Sequence, residues 1–319
     1  TLLYHVKTHS EGRLFDKSTA PKLVNPQELL AYKILELLGF GCEVHFFAKS
    51  AVDVYIATLD ANFVTRDKKG AFNVFQIAAG RLNDTGNASL GSRIDEDEDY
   101  GQRIWGALYS RRRQIPETAE VKAWNILEES LQADEIAQNF MQQQSTLDIV
   151  TRIMRLCDLL NNPENFGFVS CKNALPQLRV IDFRVIEDPT RLKMTDDQFG
   201  GYLVGNGVYN YASSHDTMCY VLRNRPLEAR VAHALQIMNT NLVNLVDVIN
   251  RAHEIVFAYL QKNIFDIERK KLEDDLRAYT TVLLENTQFF KAALEDWSPE
   301  KDTAREEARQ RVLNRANQQ

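Results

Sequence analysis

The sequence predicts an α+β fold of two lobes, a small strand-rich N-terminal lobe and a larger helical one extended by long C-terminal helices. Three observations carry it. The first 79 residues read as strand, helix, strand, strand; residues near 150 to 185 read as helix, polar loop and a strand pair ending in Ile181-Asp182-Phe183; and from Pro226 to Asp296 apolar residues recur at helical spacing. The boundaries that follow are 1–79, 80–225 and 226–319. A chain of 319 residues, 44% apolar and 26% charged, can bury a core of this size.

Leu2 to Thr8 carries enough alternating apolar residues for a strand, with Lys7 unusually placed inside it. A solvent-facing lysine on an edge strand is the plainer alternative. Asn25 to Leu38 is the clearest helix: Asn25 suits the N-cap, Pro26 the first turn and Gly39 the exit, and Leu29, Leu30, Ile34, Leu37 and Leu38 form its apolar face. Glu28 in its first turn favours the helix dipole, and Glu36 lies nearer the far end. Glu43 to Ala48 and Val52 to Leu59 alternate as two strands joined by Lys49 and Ser50, and Phe72 to Ala78 follows the polar turn Arg66 to Gly70 as a further strand.

Gly80 to Gly101 is rich in Gly, Asn, Asp and Ser and reads as an exposed loop. Arg111, Arg112 and Arg113 form either a solvated helix face or a pocket for a polyanion, since guanidinium forks match phosphate oxygens. Glu117 to Gln132 and Thr146 to Leu160 have helical spacing, the latter leading through Ile149, Ile153, Leu156 and Leu160 into the polar loop. Asp188 to Gly207, with its four glycines, suits a flexible or substrate-facing connection. His215 and Asp216 are adjacent without a nucleophile motif and read as turn residues. Val231, Leu235, Met238, Leu242, Leu245, Ile249, Ile255 and Val256 make one C-terminal stripe, and Leu272, Leu276, Tyr279, Val282 and Leu283 another; the charged tail from Pro299 reads as an exposed helix.

Chemistry concentrates between Leu156 and Val185. The hairpin reading puts the amide of Asn165 and the carboxylate of Asp182 at the same end of two adjacent strands. Magnesium prefers a few hard oxygen ligands and keeps several waters, so one carboxylate and one amide oxygen can hold it. Pro163-Glu164-Asn165 followed by Ile181-Asp182-Phe183, together with Lys7 and Glu28 in that order, resembles the protein-kinase-like superfamily over about residues 1 to 225. The flavour is that of atypical members, HipA-like and phosphatidylinositol-kinase-like, and of the secreted effector kinases of Legionella.

That resemblance implies a bilobal protein-kinase-like fold and an ATP- and Mg²⁺-dependent phosphotransferase. Lys7 would orient the phosphates, Glu28 would hold Lys7, and Asn165 and Asp182 would bind Mg²⁺. Asp158 would orient the acceptor hydroxyl, and the backbone from Ala57 to Asn62 would meet the adenine. An activator such as inositol hexakisphosphate would take the Arg111 to Arg113 cluster. The chain departs from the pattern at three points: Leu160 stands where the catalytic aspartate is expected, Arg184 replaces the glycine after Asp-Phe, and the first two strands with their Gly-rich loop are absent from this stretch or lie before Thr1. A pseudokinase scaffold, a phosphoinositide kinase and a helical interaction protein are the alternative readings.

Net charge of −6 argues against a nucleic-acid-binding surface, and no run of about 18 apolar residues spans a membrane. Cys42, Cys157, Cys171 and Cys219 lie apart without a C-x-x-C pair, which fits free thiols in a reducing compartment: the cytoplasm, or a host cytosol for a secreted effector.

Overall fold

The computed structural model describes residues 2–8, 23–51, 53–74, 135–157, 159, 165–171, 174–186, 189–203, 227–265 and 268–303. Asp158, Leu160, Arg111 to Arg113, the Gly80 to Gly101 loop, Glu117 to Gln132, His215 and Asp216 lie outside these residues.

The N-terminal part is an antiparallel sheet in the order β1-β3-β2, formed by β1 (Tyr4–Thr8), β2 (Val44–Ser50) and β3 (Asp53–Leu59). Lys49 and Ser50, expected as the connection, belong to β2 itself; Ser50 pairs with Asp53 and the chain reverses between them, past a register shift after Ala48. A bulge of this kind lets a strand run further than strict alternation predicts. Helix α1 (Pro26–Leu37) lies between β1 and β2 in the chain and starts as predicted, with the Asn25 side chain accepting from the Gln27 amide at 2.9 Å.

The exit of α1 explains two glycines. Gly39 has φ +79°, and the amides of Phe40 and Gly41 both donate to the Leu35 carbonyl, at 2.9 and 2.7 Å. A Cβ on Gly41 would lie 2.7 Å from the Glu36 backbone nitrogen, so the chain can fold back this tightly only without a side chain. Gly41→Ala should therefore cost about 1–3 kcal/mol, read as a lowered urea midpoint; an unchanged midpoint would show that the loop relaxes freely.

A second antiparallel sheet, order β6-β8-β9, joins β6 (Ala71–Val74), β8 (Phe166–Ser170) and β9 (Gln177–Val180). Between them in the chain, β4 (Phe63–Thr65) and β5 (Lys68–Lys69) pair as a small hairpin; β5 falls inside the expected polar turn Arg66 to Gly70, while β4 precedes it. The sheets are tied by a parallel bridge between Gly41 and Val180 and by the buried Arg179. The Arg179 guanidinium donates to the carbonyls of Gly39 and Val64, the latter at 3.1 Å. Burial lowers its pKa from the ordinary arginine value, with Cys42 and Cys171 working the other way.

Helix α2 (Glu135–Met154) stops short of the predicted Leu160. Arg155 adopts φ +56° and turns the chain into β7 (Leu156–Cys157), so Leu156 sits in a strand rather than on the helix face. The left-handed conformation costs a non-glycine residue about 1–2 kcal/mol. A 3.1 Å bond from its Nε to the Arg191 carbonyl works against that cost. Strand β7 pairs with β10 (Arg184–Val185).

The 189–203 part of the glycine-bearing connection is also more ordered than expected. It forms helix α3 (Asp196–Leu203), whose first turn carries Asp196 and Asp197. Phe199 and Tyr202 bury against the Phe290 ring at centroid distances of 5.8 and 5.0 Å, and aromatic packing outweighs the poor helix propensity of Gly200 and Gly201.

The C-terminal stripes form helices α4 (Leu227–Asn239), α5 (Leu245–Asn263) and α6 (Arg269–Glu295). All but Ile255 of the predicted apolar positions are buried or partly buried; Ile255 is 38% exposed. Helices α5 and α6 pack on each other and on α1, and one apolar core runs from Val24 to Leu294. Among the described residues no helix is long and apolar enough to cross a membrane.

Candidate functional site

Alternation along β1 puts His5 and Lys7 on one face of the sheet. Opposite them, Glu28 and Tyr32 stand four residues apart on one face of α1. The Lys7 ammonium lies 3.2 Å from Glu28 Oε1 and 3.2 Å from Asp182 Oδ1, and 5.1 Å from the centre of the Tyr32 ring. Burial alone would disfavour the charged lysine, but Tyr32, Glu28 and Asp182 together outweigh it and hold the Lys7 pKa above its ordinary value. The Tyr32 phenol is pushed up, by burial against the opposing pull of Lys7. Glu36, the other acid on α1, instead pairs with Lys33, which also donates to the Val44 carbonyl at 3.1 Å.

Asp182 reaches this point because β9 ends at Val180. Phe166 pairs with Val180, so Asn165 and Asp182 stand at the same end of β8 and β9, as the hairpin reading expects. The Asn165 carbonyl accepts from the Ile181 and Asp182 amides at 2.8 and 3.2 Å. Asp182 Oδ1 takes both the Lys7 ammonium and the Phe183 amide, the latter at 3.0 Å, while the side chain is 56% exposed. Both of these contacts fall on Oδ1, and a carboxylate has a second oxygen able to accept a cation.

The exposed Asp182 carboxylate is compatible with a magnesium ion, which needs few protein oxygens when phosphates and waters supply the rest. A site made wholly of protein ligands is a different matter: among the described residues no three His, Cys, Asp or Glu side chains converge.

Beside the charges lies a cleft of about 340 Å³ between α1, the end of β3 and the Val180 to Phe183 segment. Tyr32, Leu35, Leu59, Val180, Ile181 and Phe183 make it apolar, and the Tyr32 and Phe183 rings meet at 4.5 Å. A mostly apolar cleft with a few polar groups is the usual form of a small-molecule site. Its polar end is His5, Asp60 and Asn62. Asp60 Oδ2 is 2.8 Å from His5 Nε2, and Oδ1 accepts from the Asn62 amide and Nδ2 at 3.0 and 2.8 Å. Burial would raise the Asp60 pKa, but the His5 and Asn62 hydrogen bonds outweigh it and hold the carboxyl below its ordinary range. Cys42, also on the cleft wall, is pushed up to about 11 by burial and stays a neutral thiol. Cys42 and Cys171 are both free, in line with expectation.

Lys7, Glu28, Asn165 and Asp182 are thus brought to one place from four segments. Tyr32, His5 and Asp60 were not singled out from the sequence. The first two carried a readable signal, since Tyr32 follows Glu28 by one helical turn and His5 precedes Lys7 by one strand period.

Compared with family models, curated proteins and solved structures, the chain matches none.

Proposed function

We propose that the chain is a kinase-like phosphotransferase of bilobal form, moving a nucleotide γ-phosphoryl group to an alcohol. The observation that carries this reading is the Lys7 ammonium held at 3.2 Å by both Glu28 and Asp182, residues from three separate segments converging beside an apolar cleft. A nucleotide base fills the cleft, and the phosphates run along β1 from His5 towards Lys7. Lys7 neutralises phosphate oxygens and stays oriented through Glu28. Asp182, with Asn165 beside it, would hold Mg²⁺, which supplies charge neutralisation as the phosphoryl group transfers. Asp158 orients the acceptor hydroxyl in this reading, a contribution of about 10²–10⁴-fold for a general base. The Arg111 to Arg113 cluster takes an activating polyanion such as inositol hexakisphosphate.

A pseudokinase scaffold is the second reading, favoured by Leu160 at the expected position of the base and by Arg184 after Phe183. Calorimetry with ATP, GTP and Mg²⁺, followed by transfer of radiolabelled γ-phosphate with and without inositol hexakisphosphate or eukaryotic cell extract, separates the two. Binding with transfer supports the enzyme, binding without transfer under any condition supports the scaffold, and no binding sinks both.

A further inference from the structure

Two carboxylates hold the Lys7 ammonium, and one of them has a second task. Glu28 and Asp182 each stand 3.2 Å from it. On the phosphotransferase reading Asp182 also meets Mg²⁺, so its charge is shared once metal and phosphates arrive. Glu28 is then the one acid of the pair committed to the lysine alone, and the lysine is a compact charge on a flexible four-carbon stem.

A third contact is built into α1. Tyr32 follows Glu28 by one helical turn, and its ring centre lies 5.1 Å from the Lys7 ammonium, within the range over which an aromatic face attracts a cation. The ring is hemmed in: Tyr32 is 6% exposed, and the Phe183 ring packs against it at 4.5 Å. Burial pushes the phenol pKa up against the pull of Lys7, so the lysine meets a neutral ring and not a phenolate.

Resting on the phosphotransferase reading above, we infer that Tyr32 is a positioning residue whose ring face keeps the Lys7 ammonium beside the phosphates while Asp182 is engaged with the metal. Two plainer roles make different demands. Filling the core against Phe183 needs the ring–ring contact alone and is indifferent to the charge on Lys7. Lining the cleft for a base affects nucleotide affinity and not the rate of transfer.

The test is transfer of γ-labelled phosphate from ATP or GTP by the full chain in Mg²⁺, with eukaryotic cell extract as acceptor. Tyr32→Leu should lower the maximal rate about tenfold while the nucleotide KM stays within about twofold. Tyr32→Phe restores the ring and should recover all but about threefold of that loss. Lys7→Met keeps the stem without the charge, and in that background Tyr32→Leu should cost less than about twofold further. Tyr32→Met, a flexible apolar filler, takes the place of the leucine variant if circular dichroism shows that variant unfolded. A raised KM with an unchanged rate, a loss in Tyr32→Phe as large as in Tyr32→Leu, or the full Tyr32→Leu loss repeated on Lys7→Met overturns the assignment and leaves the phosphotransferase reading standing. Absence of transfer by the wild-type chain from either nucleotide overturns both.

Discussion

Asp182→Ala should abolish Mg²⁺-dependent phosphoryl transfer, a loss of about 10³-fold or more, while the chain stays folded. The size follows from what the side chain does on the proposed reading. It supplies a carboxylate oxygen to the metal and, through Oδ1, holds Lys7 together with Glu28. Removing one preorganised charge-stabilising group costs about 10²–10³-fold, and here the metal's anchor and the lysine's second partner go together. Stability should be nearly unaffected, because Asp182 is 56% exposed and exposed ion pairs contribute about 0–1 kcal/mol. Asp182→Asn keeps the acceptor for the Phe183 amide and removes the charge, so it separates loop geometry from metal binding. Transfer rates near wild type in the Ala variant, with circular dichroism unchanged, would remove Asp182 from the site.

The largest stability effect is expected at Asn286→Leu. Asn286 is 1% exposed on α6, and all three of its hydrogen bonds go to backbone. Nδ2 donates to the carbonyls of Ile153 and Leu192, each at 2.9 Å, and Oδ1 accepts from the Met194 amide at 2.7 Å. Seven residues earlier, two turns along the same face, Tyr279 donates to the Met154 carbonyl at 2.7 Å. Helix α6 thus caps the end of α2, whose last carbonyls lose their helical partners when Arg155 turns the chain away. A leucine of similar volume strands three buried backbone groups at about 1–3 kcal/mol each, so a loss of about 3 kcal/mol or more is expected in urea unfolding. Tyr279→Phe, which strands one, should cost about 1–2 kcal/mol. A loss below about 1 kcal/mol for Asn286→Leu would mean that water replaces the bonds.

Much of this was legible in the residues themselves. Lys7 stood out as a charge inside an apolar strand, α1 announced itself by Asn25, Pro26 and Gly39, and the C-terminal helices by their stripes. The legible features are local, set by capping, period or composition over one turn or one strand. What escaped depends on partners distant in the chain. Arg155 ends α2 because of Arg191, Gly200 and Gly201 are helical because Phe290 receives their aromatic neighbours, and Asp60 matters because His5 lies 55 residues away in sequence. Strands of two residues, such as β7 and β10, carry no period to read. Asn165 and Asp182 could be paired in advance only because the hairpin between them is short.

The packing of α5 and α6 against α1 makes the lysine's clamp dependent on a part of the chain that carries no candidate chemistry. Leu29, Leu30, Ala31, Ile34 and Leu35 are all at most 1% exposed, so the helix bearing Glu28 and Tyr32 is gripped along its length. The charge geometry is set from behind, by leucines more than two hundred residues downstream. Residues 226–319 are in that sense a jig rather than an appendage: cut away after residue 225, the strand-rich half would keep every charged side chain of the Lys7 cluster and lose the surface that aligns them.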